Sequence, residues 1–308
     1  MAFLRWLEGL RSPMLNIIMQ GITQLGSEAV FLVVALAMFW CIDKRRGYYL
    51  LSVGFFGIAV NQFLKLLCRV PRPWVLDPDF SIVESARADA GGYSFPSGHT
   101  QNAVGTYGAI GLTSKRPWVR GLCLALCILI PFSRMYLGVH TPLDVGAAAL
   151  TALALLLILR PVVFSGNRKV FAGMLGLMLA AAVGFVVYVE CAAFPGGSAD
   201  ENIAHGTKNA YSLLGALLGL IAAYTLDVRK LRFRVEAVWW AQLLKLSLGA
   251  ALLLGIRAAL KAPLNALFCG HGAASGLRYC AMVLFAGVLW PMTFPWFARL
   301  GKQKTIGG

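Results

Sequence analysis

The chain has 308 residues, of which 58% are hydrophobic and only 13% charged, about half the roughly 25% charge usual in soluble domains. That composition excludes an ordinary soluble domain and points to a membrane protein. The formal net charge is +15, but the basic residues sit between apolar runs rather than on one solvated face, which argues against a nucleic-acid partner.

A spanning helix needs about 20 mostly apolar residues, because backbone polar groups cannot stay unpaired in hydrocarbon. Residues 1–26 begin MAFLRWLEGLR, where charge interrupts the apolar run and no small-residue cleavage site follows. They are expected to form an interfacial amphipathic segment rather than a cleavable signal. Apolar runs then recur at 27–42, 48–68, 97–113, 119–133, 141–160, 170–192, 209–226, 237–256 and 279–298. The pattern predicts an all-α fold, a polytopic transmembrane helical bundle of about nine spans. Residues 27–165 read as a catalytic core and 166–308 as additional transmembrane helices.

Loops alternate sides. On one fall Lys44, Arg45 and Arg46, then Lys115, Arg116 and Arg120, then Arg160, Arg168 and Lys169. Arg229, Lys230, Arg232, Arg234, Arg299, Lys302 and Lys304 follow on that same side. The bias of basic residues toward cytoplasmic loops places this set, and the C-terminus, in the cytoplasm of a multi-pass cell-membrane protein. The other side balances its bases with Asp77, Asp79, Glu84, Asp89, Asp200 and Glu201.

The seven cysteines show no short paired spacing of the zinc-binding kind. Cys123 and Cys127 lie one helical turn apart inside a span and read as packing residues. Cys269 and Cys280 flank a Gly-rich loop and could pair on an oxidising face. His205 and His271 fall on outer loops, where solvation is the plainer reading.

Polar groups converge in three places on the outer side. KLLCRVPRP carries Lys65 and Arg72, seven apart and on one helix face if the helix persists that far, with Pro71 and Pro73 ending it. PSGH, Pro96 to His99, opens a span after a Gly-rich loop, and amides at a helix start attract anions. SRMYLGVHTPLD closes one span with Ser133 and Arg134 and opens the next with His140 and Asp144. Those last two are four apart and expected to share a face, so the carboxylate can hold the imidazole. Singly, these are snorkelling anchors, a cap and a surface pair. Together they place three cations, two imidazoles and a carboxylate at one membrane depth, where ionisable groups are functional by default.

Phosphoryl transfer fits them. Lys65, Arg72 and Arg134, with amides near Ser97 and Gly98, can bind phosphoryl oxygens and stabilise their charge. His140, oriented by Asp144, is the better nucleophile. His99 is then the general acid for the leaving group. No acidic cluster suited to magnesium or zinc accompanies them, so neither a metal nor a cofactor is expected.

At these residues the chain resembles the type 2 phosphatidic acid phosphatase (PAP2) superfamily, whose signature is K-x6-RP, PSGH and SR-x5-H-x3-D. Lys65, Arg72 and Pro73, then Pro96 to His99, then Ser133, Arg134, His140 and Asp144 match it position by position. The resemblance covers about residues 27–165. It implies a phosphohistidine at His140 assisted by Asp144, protonation of the leaving group by His99, and phosphate held by the basic residues and Ser97 without metal. Typical bacterial members resemble a six-span bundle ending soon after the third motif, whereas this chain continues with four more spans. Only one clear span precedes the helix carrying Lys65.

The expected substrate is a lipid phosphate or diphosphate at the outer leaflet, first a polyprenyl diphosphate such as undecaprenyl diphosphate. Phosphatidate, phosphatidylglycerol phosphate and sphingoid phosphates come next. Phosphotransfer to a lipid or sugar acceptor is an alternative, as is a soluble phosphate ester, since the nine-span layout is similar to glucose-6-phosphatase. A transporter or flippase is the alternative of another class, and Lys245, a charge inside a span, bears on it. Membrane lipids are the expected surroundings. The loop 74–95 is expected to cap the site.

Overall fold

A computed structural model describes residues 1–192, 194 and 201–300. Of the residues placed by charge above, Asp200, Lys302 and Lys304 lie outside the described residues. Those described contain helices and no strand. The N-terminal segment forms two helices, α1 (Ala2–Gly9) and α2 (Pro13–Gln24). Ser12 caps α2 through Leu15 N–H, with Pro13 at the first helical position. α3 (Glu28–Ala37), capped by Ser27, runs into a π-helical turn (Met38–Ile42). α4 (Lys44–Cys68) starts at Asp43, whose carboxylate accepts from Arg45 and Arg46 N–H.

A single turn, α5 (Pro73–Leu76), and a loop lead to α6 (Gly98–Thr113). After it come α7 (Pro117–Tyr136), α8 (Pro142–Phe164) and α9 (Arg168–Cys191). The remainder is α10 (Glu201–Leu226) with a π-helical turn (Asp227–Leu231), α11 (Trp239–Leu267), α12 (Ala273–Leu284) with its continuation, and α13 (Phe294–Arg299).

Among the described residues seven helices are long and apolar enough to cross a membrane, and the α2–α3 pair, bent by 45°, adds an eighth if it is one span. Nine is not reached. The odd one out is α6, with 16 residues, about 24 Å at 1.5 Å per residue, against a hydrocarbon core of about 30 Å. Its ends still lie at opposite ends of the bundle, because α7 returns from its far end to the same polar cluster.

The core lies between α4 and its neighbours, and includes Tyr49, Leu50, Leu156, Phe185 and Leu217. The outward faces stay apolar: Leu122, Leu124, Ile128, Leu150, Leu157, Ile158 and Leu177 are exposed, as helices facing lipid require.

The two ends of the bundle differ. At one, Lys44 Nζ bonds the Asp227 carboxylate at 2.8 Å and the Phe233 carbonyl at 3.1 Å, and Cys41 Sγ contacts the Gln242 carbonyl. Buried Lys245 donates to the Val235 carbonyl at 3.0 Å and sits 4.3 Å from the Phe294 ring. It ties helices together, which removes the reason to read it as a transport residue. The other end gathers the polar clusters. Cys269 and Cys280 are both free, as are the other five cysteines. His205 is not in a loop, because α10 starts at Glu201, eight residues before the apolar run. His271 is exposed in the α11–α12 turn, against Tyr211.

Candidate active site

Four helix ends and one loop build the site. α4 ends at Cys68, and Arg69 adopts a left-handed conformation, φ 48°. Arg72 therefore leaves the helix and lies in extended backbone as the cap of α5. The expectation of one helix face for Lys65 and Arg72 is corrected here. Pro71 and Pro73 disfavour helix at the residues before them, so α4 stops at Cys68 and Arg72 enters the site from the extended backbone beyond it.

Arg72 is nearly saturated. Nε donates to the Gly92 carbonyl at 3.0 Å, Nη2 to Gly91 at 2.8 Å and Nη1 to Val139 at 2.9 Å. Nη1 also lies 2.9 Å from Nε2 of His140. A guanidinium only donates, so this contact assigns the lone pair to Nε2 and the proton to Nδ1. The Nδ1 proton faces Asp144 Oδ2 at 3.5 Å.

His140 and Asp144 do not share a helix face. His140 precedes the Thr141 cap of α8, and Asp144 is the third helical residue. A capping box folds them together: Thr141 Oγ1 accepts from Asp144 N–H, and Asp144 Oδ2 accepts from Thr141 N–H at 2.7 Å. Ser94 Oγ donates to the same oxygen at 2.6 Å. Oδ1 has no partner among the described residues. Both residues are buried, His140 at 1% exposure and Asp144 at 0%. Burial, then the charges of Arg72, Arg134 and Lys65, hold the His140 imidazole well below its ordinary range and therefore neutral.

The other cations close round this pair. Lys65 Nζ donates to the Tyr93 carbonyl at 2.8 Å. Arg134, in the last turn of α7, is fully buried, with Nη1 3.1 Å from Thr23 Oγ1 and Nη2 3.5 Å from the Asp89 carbonyl. Its Nε has no partner among the described residues.

Ser97 is the cap of α6, and its Oγ accepts from Thr100 N–H. Its own amide donates to the Asp144 carbonyl at 3.1 Å, so it is occupied in holding α6 against α8. Gly98 and His99 occupy the first two helical positions, where amides have no intrahelical acceptor. His99 Nε2 is buried and without a partner among the described residues.

All the predicted site residues thus converge, Ser97 in a structural role. Two others were missed, Thr23 on α2 and Asn61, which donates to the Pro96 carbonyl; the loop 74–95, expected to cap the site, brings Asp89, Gly91, Gly92, Tyr93 and Ser94 to it. Only the paired glycines signalled a close backbone approach; the rest carry no spacing that reads as a site.

A groove of about 370 Å3 runs from this cluster into the bundle. Its polar end carries Asn61, Gln62, Asp89, His99 and Asn102. Its remainder is lined by α3, α4, α10 and α12 with Leu36, Leu51, Phe55, Ile58, Leu213 and Met282. From Gln62 to Leu51 on α4 it extends roughly 16 Å.

Residues 45–168 match the model of the PAP2 superfamily, and residues 211–303 match that described as PAP2 superfamily phosphatase, transmembrane extension. The chain is 32% identical over 153 residues to phosphatidylglycerophosphatase B of Bacillus subtilis, covering 44% of this chain and 69% of the relative. It is 31% identical over 137 residues to an undecaprenyl-diphosphatase of Sulfolobus acidocaldarius, covering 43% and 63%. Against sphingosine-1-phosphate phosphatase 1 of Rattus norvegicus it is 29% identical over 147 residues, covering 46% and 33%. No solved structure matches. The motif residues brought together at one end of the bundle and the two family matches agree: the chain belongs to the PAP2 superfamily and is an integral-membrane phosphatase.

Proposed function

We propose that the protein hydrolyses a lipid phosphate or diphosphate, first a polyprenyl diphosphate, through a phosphohistidine at His140, with neither metal nor cofactor, on the extracytoplasmic side. The observation that carries the reading is the contact of His140 Nε2 with Arg72 at 2.9 Å. It supports a nucleophile whose ring lone pair lies on Nε2, directed at a cation held in place to meet the phosphoryl group that Nε2 attacks.

In the first step Nε2 attacks phosphorus, the phosphorus–oxygen bond to the lipid breaks, and the leaving oxygen takes a proton from His99. Asp144 supports the positive charge that develops on the ring. Lys65, Arg72, Arg134 and the Gly98 and His99 amides stabilise the phosphoryl oxygens. In the second step His99 takes a proton from water, the water oxygen bonds to phosphorus, and the nitrogen–phosphorus bond breaks to release phosphate.

The groove supports a lipid over a soluble ester. A hydrocarbon chain lies along Ile58, Phe55 and Leu51, while the head meets Asn61, Gln62 and His99. Asn61 Oδ1 and both amide atoms of Gln101, which lines the same groove, are buried without partners among the described residues.

The test is phosphate release by purified protein in detergent, without a gradient, from undecaprenyl diphosphate, phosphatidylglycerol phosphate, phosphatidate and a sphingoid phosphate. Release from at least one, lost with His140→Ala and kept in excess chelator, is the expected result. Transport without release would sink the enzyme reading, and loss with chelator restored by magnesium would sink the cationic mechanism.

A further inference from the structure

Neither family match reaches the N-terminal helices, since the first begins at residue 45 and the second at 211. Yet α1 and α2 lie against the catalytic end of α7. Arg11 Nε donates to the Tyr136 carbonyl at 3.0 Å, and the Tyr136 hydroxyl donates to Asn16 Oδ1 at 3.1 Å. Just past α2, Tyr107 on α6 donates to the Leu25 carbonyl at 2.9 Å. A Cβ at Gly26 would lie 3.1 Å from the His99 carbonyl and 2.6 Å from Ile130 Cγ2, so the chain there rests directly on α6 and α7.

Arg134 is held differently from Arg72. Three backbone carbonyls fix the fork of Arg72. The guanidinium of Arg134, fully buried, donates to Thr23 and to Asp89, and the last turn of α2 governs both contacts. The shorter is direct: Nη1 donates to Thr23 Oγ1 at 3.1 Å, and Thr23 is itself 0% exposed. The longer, from Nη2 to the Asp89 carbonyl at 3.5 Å, is indirect, because Gln24 Nε2 holds the Asp89 carboxylate at 2.6 Å. A long, flexible arginine must be fixed before its fork can meet charge that develops in a transition state. A hydroxyl on a packed helix fixes it without adding a negative charge that would compete with phosphate.

We propose that Thr23 is a positioning residue for Arg134, and that the N-terminal helix pair thereby completes the active site rather than only lying in the interface. The role rests on Arg134 as a holder of phosphoryl oxygens, as proposed above. Thr23 acts through the fork, and Gln24 acts on the same fork through Asp89.

The experiment measures kcat and KM for phosphate release from an aryl phosphate, which leaves the lipid groove out of the comparison. Full-length wild type, Thr23→Val, Thr23→Ser, Arg134→Gln and the double variant of Thr23→Val with Arg134→Gln are compared, with melting temperatures alongside. Thr23→Val keeps the shape and removes the acceptor. It is expected to lower kcat about 10-fold, the scale of one hydrogen bond to a charged group. KM should change little, because the fork meets charge that develops in the transition state. Thr23→Ser, which keeps the hydroxyl, is expected to recover most of the loss. The double variant is expected to be no slower than Arg134→Gln alone, whereas losses that multiply would make Thr23 a packing residue and overturn the proposal. Wild-type kcat in Thr23→Val, with Arg134→Gln impaired, also overturns it and leaves the role of Arg134 standing. Wild-type kcat in Arg134→Gln removes the role of Arg134 itself, and the proposal with it. Should Thr23→Val not fold, Gln24→Ala, at an exposed pair, takes its place in the cycle. A kcat loss there that vanishes beside Arg134→Gln supports the proposal, and any other pattern overturns it.

Discussion

His140 and His99 carry the same side chain in unlike settings. His140 is gripped at both ring nitrogens, by Arg72 and by Asp144, whereas His99 faces the groove with Nε2 unpartnered among the described residues. A gripped neutral ring suits attack, and a ring whose Nε2 has no partner among the described residues suits proton traffic. His99→Ala is expected to lose far less activity on an aryl phosphate, which leaves without protonation, than on an alkyl lipid phosphate. His140→Ala is expected to be inactive on both. An acid-labile, base-stable phosphoenzyme is expected to accumulate in His99→Ala with the aryl substrate and never in His140→Ala. Rescue of His140→Ala by the better leaving group would exchange the two roles.

Arg72 gives a second test at this scale. Three carbonyls fix its fork, so Arg72→Ala and Arg134→Ala are each expected to lower kcat about 100- to 1,000-fold, roughly 2.7–4 kcal/mol. Arg72→Lys is expected to recover only part, because an ammonium cannot reach Gly91, Gly92, Val139 and a phosphoryl oxygen together. Full activity of the lysine variant would reduce Arg72 to a membrane anchor. The motif residues were legible because residue type and spacing record chemistry. Thr23 was not, because a hydroxyl 111 residues from its partner Arg134 joins a site only through the fold.

At the scale of elements, apolar length reported the helices well and their ends poorly. α10 begins eight residues before its apolar run and α11 continues to Leu267, since polar residues extend a helix wherever they meet water or a cavity. Helix association left a mark in small residues. Gly215 and Gly219 on α10 and Gly272 and Gly276 at the start of α12 each repeat at a four-residue interval. The backbones approach so closely that a Cβ at Gly215 would overlap the Gly276 carbonyl. Gly215→Leu should force these helices apart, at about 1–3 kcal/mol for overpacking, and lower the melting temperature in detergent. α10 and α12 form one wall of the groove, so activity on a long-chain lipid phosphate should fall more than on a short soluble aryl phosphate. An unchanged melting temperature would mean that the two helices are not held at this distance.

For the whole molecule, the two ends of the bundle carry opposite characters, and orientation is the consequence to test. The loops around Lys44, Lys115, Arg168 and Arg229 hold many bases and few acids, with Asp227 and Asp43 offsetting only Lys44 and Arg46, whereas the catalytic end balances its bases with acids, as Arg5 with Asp77 at 2.8 Å and Arg87 with Glu84 at 2.7 Å. Unneutralised bases resist translocation, so the catalytic end should face out of the cytoplasm. The short α6 does not disturb this, because its two ends still fall on opposite sides of the bundle. Asp79 is exposed in the loop of the catalytic end, and Lys115 is exposed at the other. In a protein whose seven cysteines are replaced, Asp79→Cys should react with an impermeant thiol reagent in intact cells, and Lys115→Cys only after lysis. Labelling of Lys115→Cys in intact cells, with Asp79→Cys protected, would invert the protein and place phosphate release in the cytoplasm. The choice of an outer-leaflet polyprenyl diphosphate would then fall, while the roles of His140, His99 and Arg72, which depend on no orientation, would stand.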